Sequence, residues 1–545
     1  MQLTLFDESI PPDWEALDRC LRASVVAVDI ETQTRWPGRG PRLDYGLSYP
    51  AAVTVIALAW VDAEAARGGS GGPIQATALA APFPAAVPQF IAALFAGPAW
   101  IVAHNAVFDL RQLSKLTGGL IPARIWDTQA MARLLHPAVD VSYSLLGVAT
   151  ALGIPYAAQQ AAMKAQRGKL YTLPLEQTLA YARDDAALTL NIYQAQQALA
   201  RATDPALIDW ECRANAVYCG MAARGIRLNI PFTERRIAEL GTRREALAAR
   251  LAVDGLANPG SNRERAQYLY VQKGIPLPEY SANSWYFTRA GHRRLRGQPQ
   301  APVQLADLST RSSIVESYRE EGSPYSDRLR DLADYMAIDW LISALTGLID
   351  HAAFDGRLHS LLTTATESGR RASSYPHMQN WKMPEMAGVA IGDEGFTLVE
   401  IDYRNAESVM AAFIAGDSAL AAACRAVDFH ATMAAQYFGE AWSSAEPTER
   451  KRLRTMAKKI TFGTAYGMGA ERLGESINVS TAEARRIMAA KDRTFAAVAR
   501  ARDSAKARVR AGQLLELWTG RQVAVPSAFV AWNYLCQGGV SEVLK

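Results

Sequence analysis

The chain has 545 residues, enough for about three to five domains at roughly 100–200 residues each. Hydrophobic residues make up 49% and charged residues 21%, which is ordinary globular composition and excludes a chain disordered throughout. The net charge of +4 hides an asymmetry: residues 1–205 carry 15 basic and 17 acidic side chains, whereas residues 450–510 carry 16 and 5. The C-terminal part is therefore expected to meet a polyanion, although a solvated helical face gives the same charge run.

In chain order, SVVAVDIET (24–32) is predicted as a buried strand, rich in β-branched residues, and TVIALAW (54–60) and AWIVAH (99–104) as two more. Between the last two, ARGGSGGP (66–73) suits a hairpin or a surface loop. The pattern turns helical from about Leu173 to Ala200, which makes the first 205 residues an α/β domain with a mixed sheet. Residues 206–255 read as one long helix or two. ANPGSNRE (257–264) reads as a break and a helix start with Ser261 or Asn262 as N-cap. Residues 280–312 look irregular and basic, and Ser326–Asp350 helical. DGRLHSLLTTATESGRRASS then reads as strand and loop, FTLVEIDY (396–403) as a clear strand, and 404–515 as almost wholly helical. No internal repeat is visible.

Two acids on the first strand carry chemistry. Asp29 and Glu31 sit two apart, so a strand points both to one face, where they repel unless a cation or a proton lies between them. A strand end with solvated acids is the plain alternative. HNAVFD (104–109) adds Asp109 after another strand, and YARDD (181–185) places Tyr181 and Asp185 one turn apart on a helix. Further on, Asp402 ends the apolar strand LVEIDY, with Glu407 five residues later; a strand stop with polar flanks would look similar. In RTMAKKITFGTAYG (454–467), Arg454, Lys458, Phe462 and Tyr466 follow one another at i, i+4 along one slowly drifting helical face. Two cations and then two aromatics suit the phosphates and base of a nucleoside triphosphate, against the alternative of an amphipathic surface helix.

The order D-x-E, N-x-x-F-D, Y-x-x-x-D resembles the three motifs of the DnaQ-like 3′–5′ exonucleases, and WDTQAMARLL (126–135) fits that pattern between the second and third. The resemblance implies that Asp29, Glu31, Asp109 and Asp185 hold metal ions and that Tyr181 orients the attacking water. His104 and Asn105 are weaker candidates, and a strand-end histidine is more often simply packed. Hydrolysing a phosphodiester needs an activated water and a stabilised leaving oxygen, which two Mg²⁺ or Mn²⁺ ions held by hard carboxylate oxygens supply.

The rest of the chain resembles the bacterial DNA polymerase I family (family A). DYRNAE is similar to its motif A and R-x-x-x-K-x-x-x-F-G-x-x-Y-G to its motif B. The stretch 355–380 resembles the primer–template-binding segment, implying contacts from Arg371, Gln379 and Asn380. DFHATMAAQYFG (428–439) resembles the D-x-H element of the fingers, with His430 near the nucleotide. WTGRQVAVP and NYLCQGG match the segments before the last palm motif, implying DNA contacts from Asn533 and Gln537, and WECRANAVYCGMAARGI (210–226) resembles the start of the thumb. By resemblance Asp402 holds metal, Arg454 and Lys458 grip the β- and γ-phosphates, Phe462 and Tyr466 gate the nascent base pair, and Glu407 supports the sugar pocket and excludes ribonucleotides. Departures are present: Arg404, Asn405 and Ala406 replace the usual Ser-Gln-Ile, and the Pro-Asn-Leu-Gln-Asn stretch reads Pro376, His377, Met378, Gln379, Asn380. They suggest a divergent, phage-like branch. The His-Asp-Glu motif that supplies the second palm carboxylate is not found: after Glu516 the only acid is Glu542, and no histidine follows His430. A chain truncated in the palm, or a palm completed by another polypeptide, is the expectation, and Asp402 alone should leave synthesis crippled.

The implied fold is multidomain α/β and mainly α: an RNase H-like exonuclease domain (1–205), then a right-hand polymerase with thumb (206–350), first part of the palm (351–425), and fingers with the start of the return to the palm (426–545). Expected cofactors are two Mg²⁺ or Mn²⁺ ions per active site. Expected partners are primer–template DNA, a single-stranded 3′ end and dNTPs, for a monomer whose processivity partner the sequence does not name. Scattered Cys20, Cys212, Cys219, Cys424 and Cys536 form no disulfide framework and suggest a reducing compartment. No run of 18 apolar residues and an acidic, polar N-terminus place the protein in the cytoplasm, bacterial or phage-encoded, without a membrane span. Three functions compete: templated DNA synthesis with 3′–5′ proofreading, a 3′–5′ exonuclease on a polymerase-like DNA-binding body, and a non-enzymatic DNA-binding scaffold, against which the carboxylate set counts.

Overall fold

The computed structural model describes residues 11–33, 52–61, 73–139, 141–156, 162, 173–277, 286–297, 301–317, 329–363, 368–381, 385–465 and 467–545. The chain divides into two compact units, one of Met1–Gly225, His359–Asn380 and Val399–Lys545, the other of Ile226–Leu358 and Trp381–Leu398.

The first unit opens with α1 (Trp14–Leu21), β1 (Val25–Gln33), β2 (Ala52–Val61), β3 (Ile74–Ala80), α2 (Ala86–Ala96), β4 (Trp100–Ala103), α3 (Ala106–Ser114), β5 (Ile125–Asp127), α4 (Thr128–Leu135), α5 (Leu145–Ala151), α6 (Leu175–Ala200) and α7 (Pro205–Arg224). The strands form one mixed sheet in the order β3-β2-β1-β4-β5, antiparallel among the first three and parallel from β1 through β4 to β5. The three strands read from the sequence are there; β3 joins them as an antiparallel partner of β2. Residues 66–72 of the Gly-rich stretch lie outside the described residues.

Period 2 along β1 sorts its side chains between two cores. Val26, Val28 and Ile30 face large aliphatics such as Leu17, Ile91, Leu94 and Leu110, while Ala27 faces the α6 side with Ala57, Ala59, Leu179, Ala182 and Ala186. Alanines on both sides of that contact let α6 lie close to the sheet. Asp29 and Glu31 continue the Ala27 face, opposite Ala57 and Val55 on β2. The face that the sequence assigns to the two acids is therefore the face that meets α6, and the β1–β2 register slips between Glu31 and Thr32, just past them.

α7 starts at an Asp204 cap with proline in its first turn. His359 Nδ1 lies 3.0 Å from the Ala222 carbonyl, and Arg111 donates to the His359 carbonyl at 2.6 Å, which ties the returning segment to α3 and α7. Strands Leu361–Thr363 and Ala372–Ser374 then pair as a short ladder. The remainder of this unit is mostly helical, as read for 404–515, with one short ladder of Leu515–Glu516 and Gln522–Val523: Ala406–Ala415, Ser418–Arg425, Phe429–Phe438, Pro447–Ala465, Ala470–Ile477, Thr481–Thr494, Ala496–Arg510 and Ala531–Val543 share one core around Phe429, Tyr437, Ile460, Leu473 and Trp532.

One expectation fails. Residues 396–403 form no strand: Val399 is 76% and Ile401 81% exposed, and Phe396, Leu398 and Tyr403 are exposed as well. Composition gives this stretch strong β-propensity, but a strand exists only where a neighbour accepts its backbone bonds, and no described residue does so.

In the second unit, 206–255 resolves as two helices: α7 ends in the first unit, strand Ile226–Leu228 follows, and helix Ile230–Val253 begins. That strand pairs antiparallel with Arg357–Leu358 and Ala390–Ile391. Ser261 caps Asn262–Ala266, as expected. The basic 280–312 stretch, read as irregular, contains helix Arg289–Gly297 and a 3-10 turn at Leu305–Asp307. Arg294 Nε binds Asp307 Oδ1 at 2.9 Å and fixes the two together. Helix Arg330–Ala352 is, among the described residues, long and apolar enough to cross a membrane by length and composition. It buries Leu332, Leu341, Leu345 and Leu348 and pairs Asp331 and Asp339 with Arg250 and Arg244 of helix Ile230–Val253, which is the behaviour of a core helix.

Candidate active site and comparisons with known proteins

Asp29, Glu31 and Asp185 converge: each offers a carboxylate oxygen, and these oxygens lie within 4.8 Å of one another. Glu31 and Asp185 are 9% and 1% exposed. Asp29 is half-buried, and like charges held this close repel one another, which a cation among them would relieve. Their hard oxygen donors fit Mg²⁺ or Mn²⁺. Asp109 comes from the first turn of α3, 3% exposed, and its Oδ1 accepts the Ile30 N–H at 3.2 Å. It is thereby pinned to the strand residue that separates Asp29 from Glu31. Tyr181 is buried one helical turn before Asp185 on α6. Of the five residues expected at the N-terminal site, Asp29, Glu31 and Asp185 form one cluster, Asp109 stands outside it, bonded to the strand between the first two, and Tyr181 lies one turn before the third.

The weaker candidates are otherwise engaged. His104 places Nδ1 2.9 Å from the Thr128 hydroxyl and Nε2 3.0 Å from the Tyr143 carbonyl, so it is packed, as strand-end histidines commonly are. Asn105 adopts a left-handed backbone (φ 66°) at the turn from β4 into α3, and its N–H donates to Asp127. Asp127, fully buried at the end of β5, accepts four backbone N–H groups. Burial raises its pKa, and those four bonds pull against the rise. Sequence reading passed over Asp127 because an acid just before a helix looks like any N-cap.

The second constellation assembles in part. Asp428 Oδ1 accepts the Ala431 N–H at 2.9 Å and so caps the helix carrying His430, while Oδ2 takes Arg454 Nε at 2.8 Å. His430 meets the Phe462 ring edge-on, 5.7 Å between centroids. Burial, then the charges of Arg454 and Lys458, hold the His430 pKa below its ordinary value. Lys458 is exposed on helix Pro447–Ala465, which also carries Arg454 and Phe462. Tyr466 lies outside the described residues. Asp402 is exposed on the unpaired 396–403 segment, and among the described residues no other metal-type carboxylate cluster forms. Glu407 is bound by Arg370.

Of the expected DNA contacts, Gln379 is exposed, Arg371 and Asn533 are half-buried and Gln537 is buried. Arg371 pairs with the buried Glu211 at 3.3 Å and stacks on Tyr218, 3.9 Å from the ring centroid. Gln379 Oε1 accepts the Ser373 N–H and its Nε2 donates to the Arg371 carbonyl. Asn380 ends a 3-10 turn, and its side chain lies outside the described residues. Gln537 is buried and Asn533 half-buried, one turn apart on helix Ala531–Val543.

Residues 75–199 match the 3′-5′ exonuclease family, and residues 293–539 match DNA polymerase family A. DNA polymerase I of Mycobacterium bovis is 26% identical over 370 residues, 64% of this chain and 38% of that protein. Thermostable DNA polymerase I of Thermus aquaticus is 28% identical over 281 residues, 50% of this chain and 30% of that protein. This chain thus spans well under half the length of these relatives. The POL domain of Pol1 from M. smegmatis, solved in complex with DNA primer-template and dNTP, shares the fold with a TM-score of 0.67 at 19% identity, over 98% of this chain and 87% of that one. Two matches in chain order, the 3′-5′ exonuclease family and then DNA polymerase family A, together with the DNA polymerase I relatives, support a family A polymerase region preceded by a 3′–5′ exonuclease domain.

Proposed function

We propose that the protein performs template-directed DNA synthesis with 3′–5′ exonucleolytic proofreading, and that the exonuclease is the half its geometry supports most directly. The observation that carries this is the meeting of Asp29, Glu31 and Asp185 oxygens within 4.8 Å, with Asp109 hydrogen-bonded to the strand between the first two. Asp29, Glu31, Asp109 and Asp185 would hold two Mg²⁺ or Mn²⁺ ions. When bound, such ions lower the pKa of water and stabilise the leaving oxygen. Tyr181 orients the water. The water's oxygen bonds to phosphorus, the P–O3′ bond breaks, O3′ takes up the proton that the water gives up, and a nucleoside 5′-monophosphate leaves a new 3′-hydroxyl on the strand.

For synthesis, the primer 3′-hydroxyl attacks the α-phosphate of a dNTP and pyrophosphate departs. Asp428 occupies only Nε of Arg454, which leaves its two terminal nitrogens, with Lys458, for the β- and γ-phosphates. Phe462 and Tyr466 stack on or gate the base, Glu407 shapes the sugar pocket, and His430 stands beside Phe462. Asp402 holds metal. Arg371, Gln379, Asn380, Asn533 and Gln537 support primer–template DNA. By domain, 1–205 is the exonuclease, 206–350 the thumb, 351–425 the palm and 426–545 the fingers. The setting is the cytoplasm of a bacterium or of a phage-infected cell, where five free, buried cysteines stay reduced.

A second reading is favoured by one observation: Asp402 sits on an exposed segment without strand partners. In that reading the chain is a 3′–5′ exonuclease whose polymerase-like body binds DNA. Two assays decide. Asp29→Ala should abolish degradation of a 5′-labelled single-stranded oligonucleotide in Mg²⁺, and retained degradation would overturn the exonuclease assignment. Primer extension that is lost in Asp402→Ala supports synthesis; no extension by the unaltered chain, with degradation intact, leaves the second reading.

A further inference from the structure

We infer that Asp127 is a positioning residue of the acidic site, fixing through its buried carboxylate where α3 begins and hence where Asp109 stands against β1. The inference rests on the exonuclease reading.

The bonds divide into two sets. Toward its own helix, Asp127 Oδ1 accepts Gln129 N–H at 2.9 Å and Ala130 N–H at 3.2 Å, which is the N-cap of α4. Across the sheet edge, Oδ1 also accepts Asn105 N–H at 3.1 Å and Oδ2 accepts Ala106 N–H at 2.9 Å. Capping explains the first set and has no use for the second. Asn105 and Ala106 form the turn that leaves β4, and that turn is held in a conformation uncommon for a residue with a side chain, Asn105 at φ 66°. No side chain of its own caps α3, so the Asp127 carboxylate serves as its anchor and places negative charge at its N-terminus. Three residues into α3 stands Asp109, and its Oδ1 bond to Ile30 N–H depends on the helix starting where it does. β4 and β5 are parallel with Ala103 opposite Asp127, which sets the two segments at the distance one carboxylate spans.

Capping and positioning separate by experiment. Asp127→Ser retains a good cap for α4 but gives up the second oxygen and its bond to Ala106. Manganese binding to the full chain, followed by titration calorimetry, reads the site without turnover, with Asp109→Asn as reference and thermal melting as the check on folding. Asp127→Ser is expected to melt close to the unaltered protein, to bind Mn²⁺ roughly 10-fold more weakly, and to need correspondingly more Mn²⁺ for half-maximal degradation. If Asp127→Ser lowers stability too far for titration, Asp127→Asn, which keeps the shape and turns an NH₂ toward one donor, is held to the same threshold. Unchanged Mn²⁺ affinity in the folded variant, with Asp109→Asn weakened, overturns the inference and leaves the exonuclease reading standing. Unchanged affinity in Asp29→Ala and Asp109→Asn as well would bring down that reading and the inference with it.

Discussion

Glu211, in the second turn of α7, receives Arg521 Nη2 at 2.5 Å from 310 positions further along the chain. Arg371 and Lys545 close on the same carboxylate at 3.3 and 3.0 Å, and Glu542 bonds Arg521 and Lys545 in turn. The helix that leaves the exonuclease domain is thereby locked to three later segments of the same unit. Burial alone would raise the Glu211 pKa, but Lys545, Arg521 and Arg371 hold it down at about 2.

Removing that one charge should be costly. Glu211→Gln keeps the shape and leaves three cations without their shared partner, for which a loss of about 3–5 kcal/mol is the expected scale. The folded pKa lies below the unfolded value, so the stabilisation is present above about pH 4.5 and is lost as pH falls toward 2. Melting curves of the two proteins should differ most near neutrality and draw together below about pH 4.5. A constant difference across that range would mean that Glu211 acts through packing rather than charge.

Tyr181 separates metal binding from water orientation. Its ring is buried beside Leu173, so Tyr181→Phe should fold normally and bind Mn²⁺ as before, while the turnover of a single-stranded 3′ end falls about 10²-fold. Asp185→Asn should instead lose Mn²⁺ binding along with turnover. If Tyr181→Phe turns over normally, another group places the water.

How much of this was legible in the sequence depends on the reach of each interaction. Asp29 and Glu31 could be assigned to one face because strand periodicity is local, and Tyr181 and Asp185 to one helical face because they are a turn apart. Asp127 and Glu211 could not, because their meaning lies in donors 21 and 310 positions away. The same distance hides a second role of Arg371: a sequence motif assigns it to DNA, while the fold also pairs it with Glu211 and stacks it on Tyr218. For 396–403, composition supplies β-propensity but not the neighbouring strand that would accept its backbone bonds, and no strand forms.

Arg454 and Lys458 should report on nucleotide alone. Each contributes charge-assisted bonds to phosphate, about 1.5–3 kcal/mol, so Arg454→Ala or Lys458→Ala should weaken dNTP binding by roughly 10- to 100-fold. Neither touches the β1–α6 site, and degradation of a single strand should proceed at the original rate. Asp428→Ala should cost about 1 kcal/mol through loss of the cap. Asp428→Ser should recover most of it, because the Asp428–Arg454 pair is exposed and worth little by itself.

The segment before Asp402 offers a test that needs no substrate. Backbone groups of Thr397–Tyr403 have no bonding partner among the described residues, and the side chains of Val399 and Ile401 face solvent. Amide hydrogens there should exchange at rates close to those of an unfolded chain, whereas β1, with partners on both sides, should exchange only through larger openings. Primer–template DNA with dNTP and Mg²⁺ is then the discriminating addition. Protection that appears at 397–403 would show the strand forming as Asp402 is engaged, which favours synthesis. Exchange that stays fast while the β1 region gains protection from a single-stranded 3′ end would place the chemistry at the Asp29 site and leave the polymerase body as a platform for DNA.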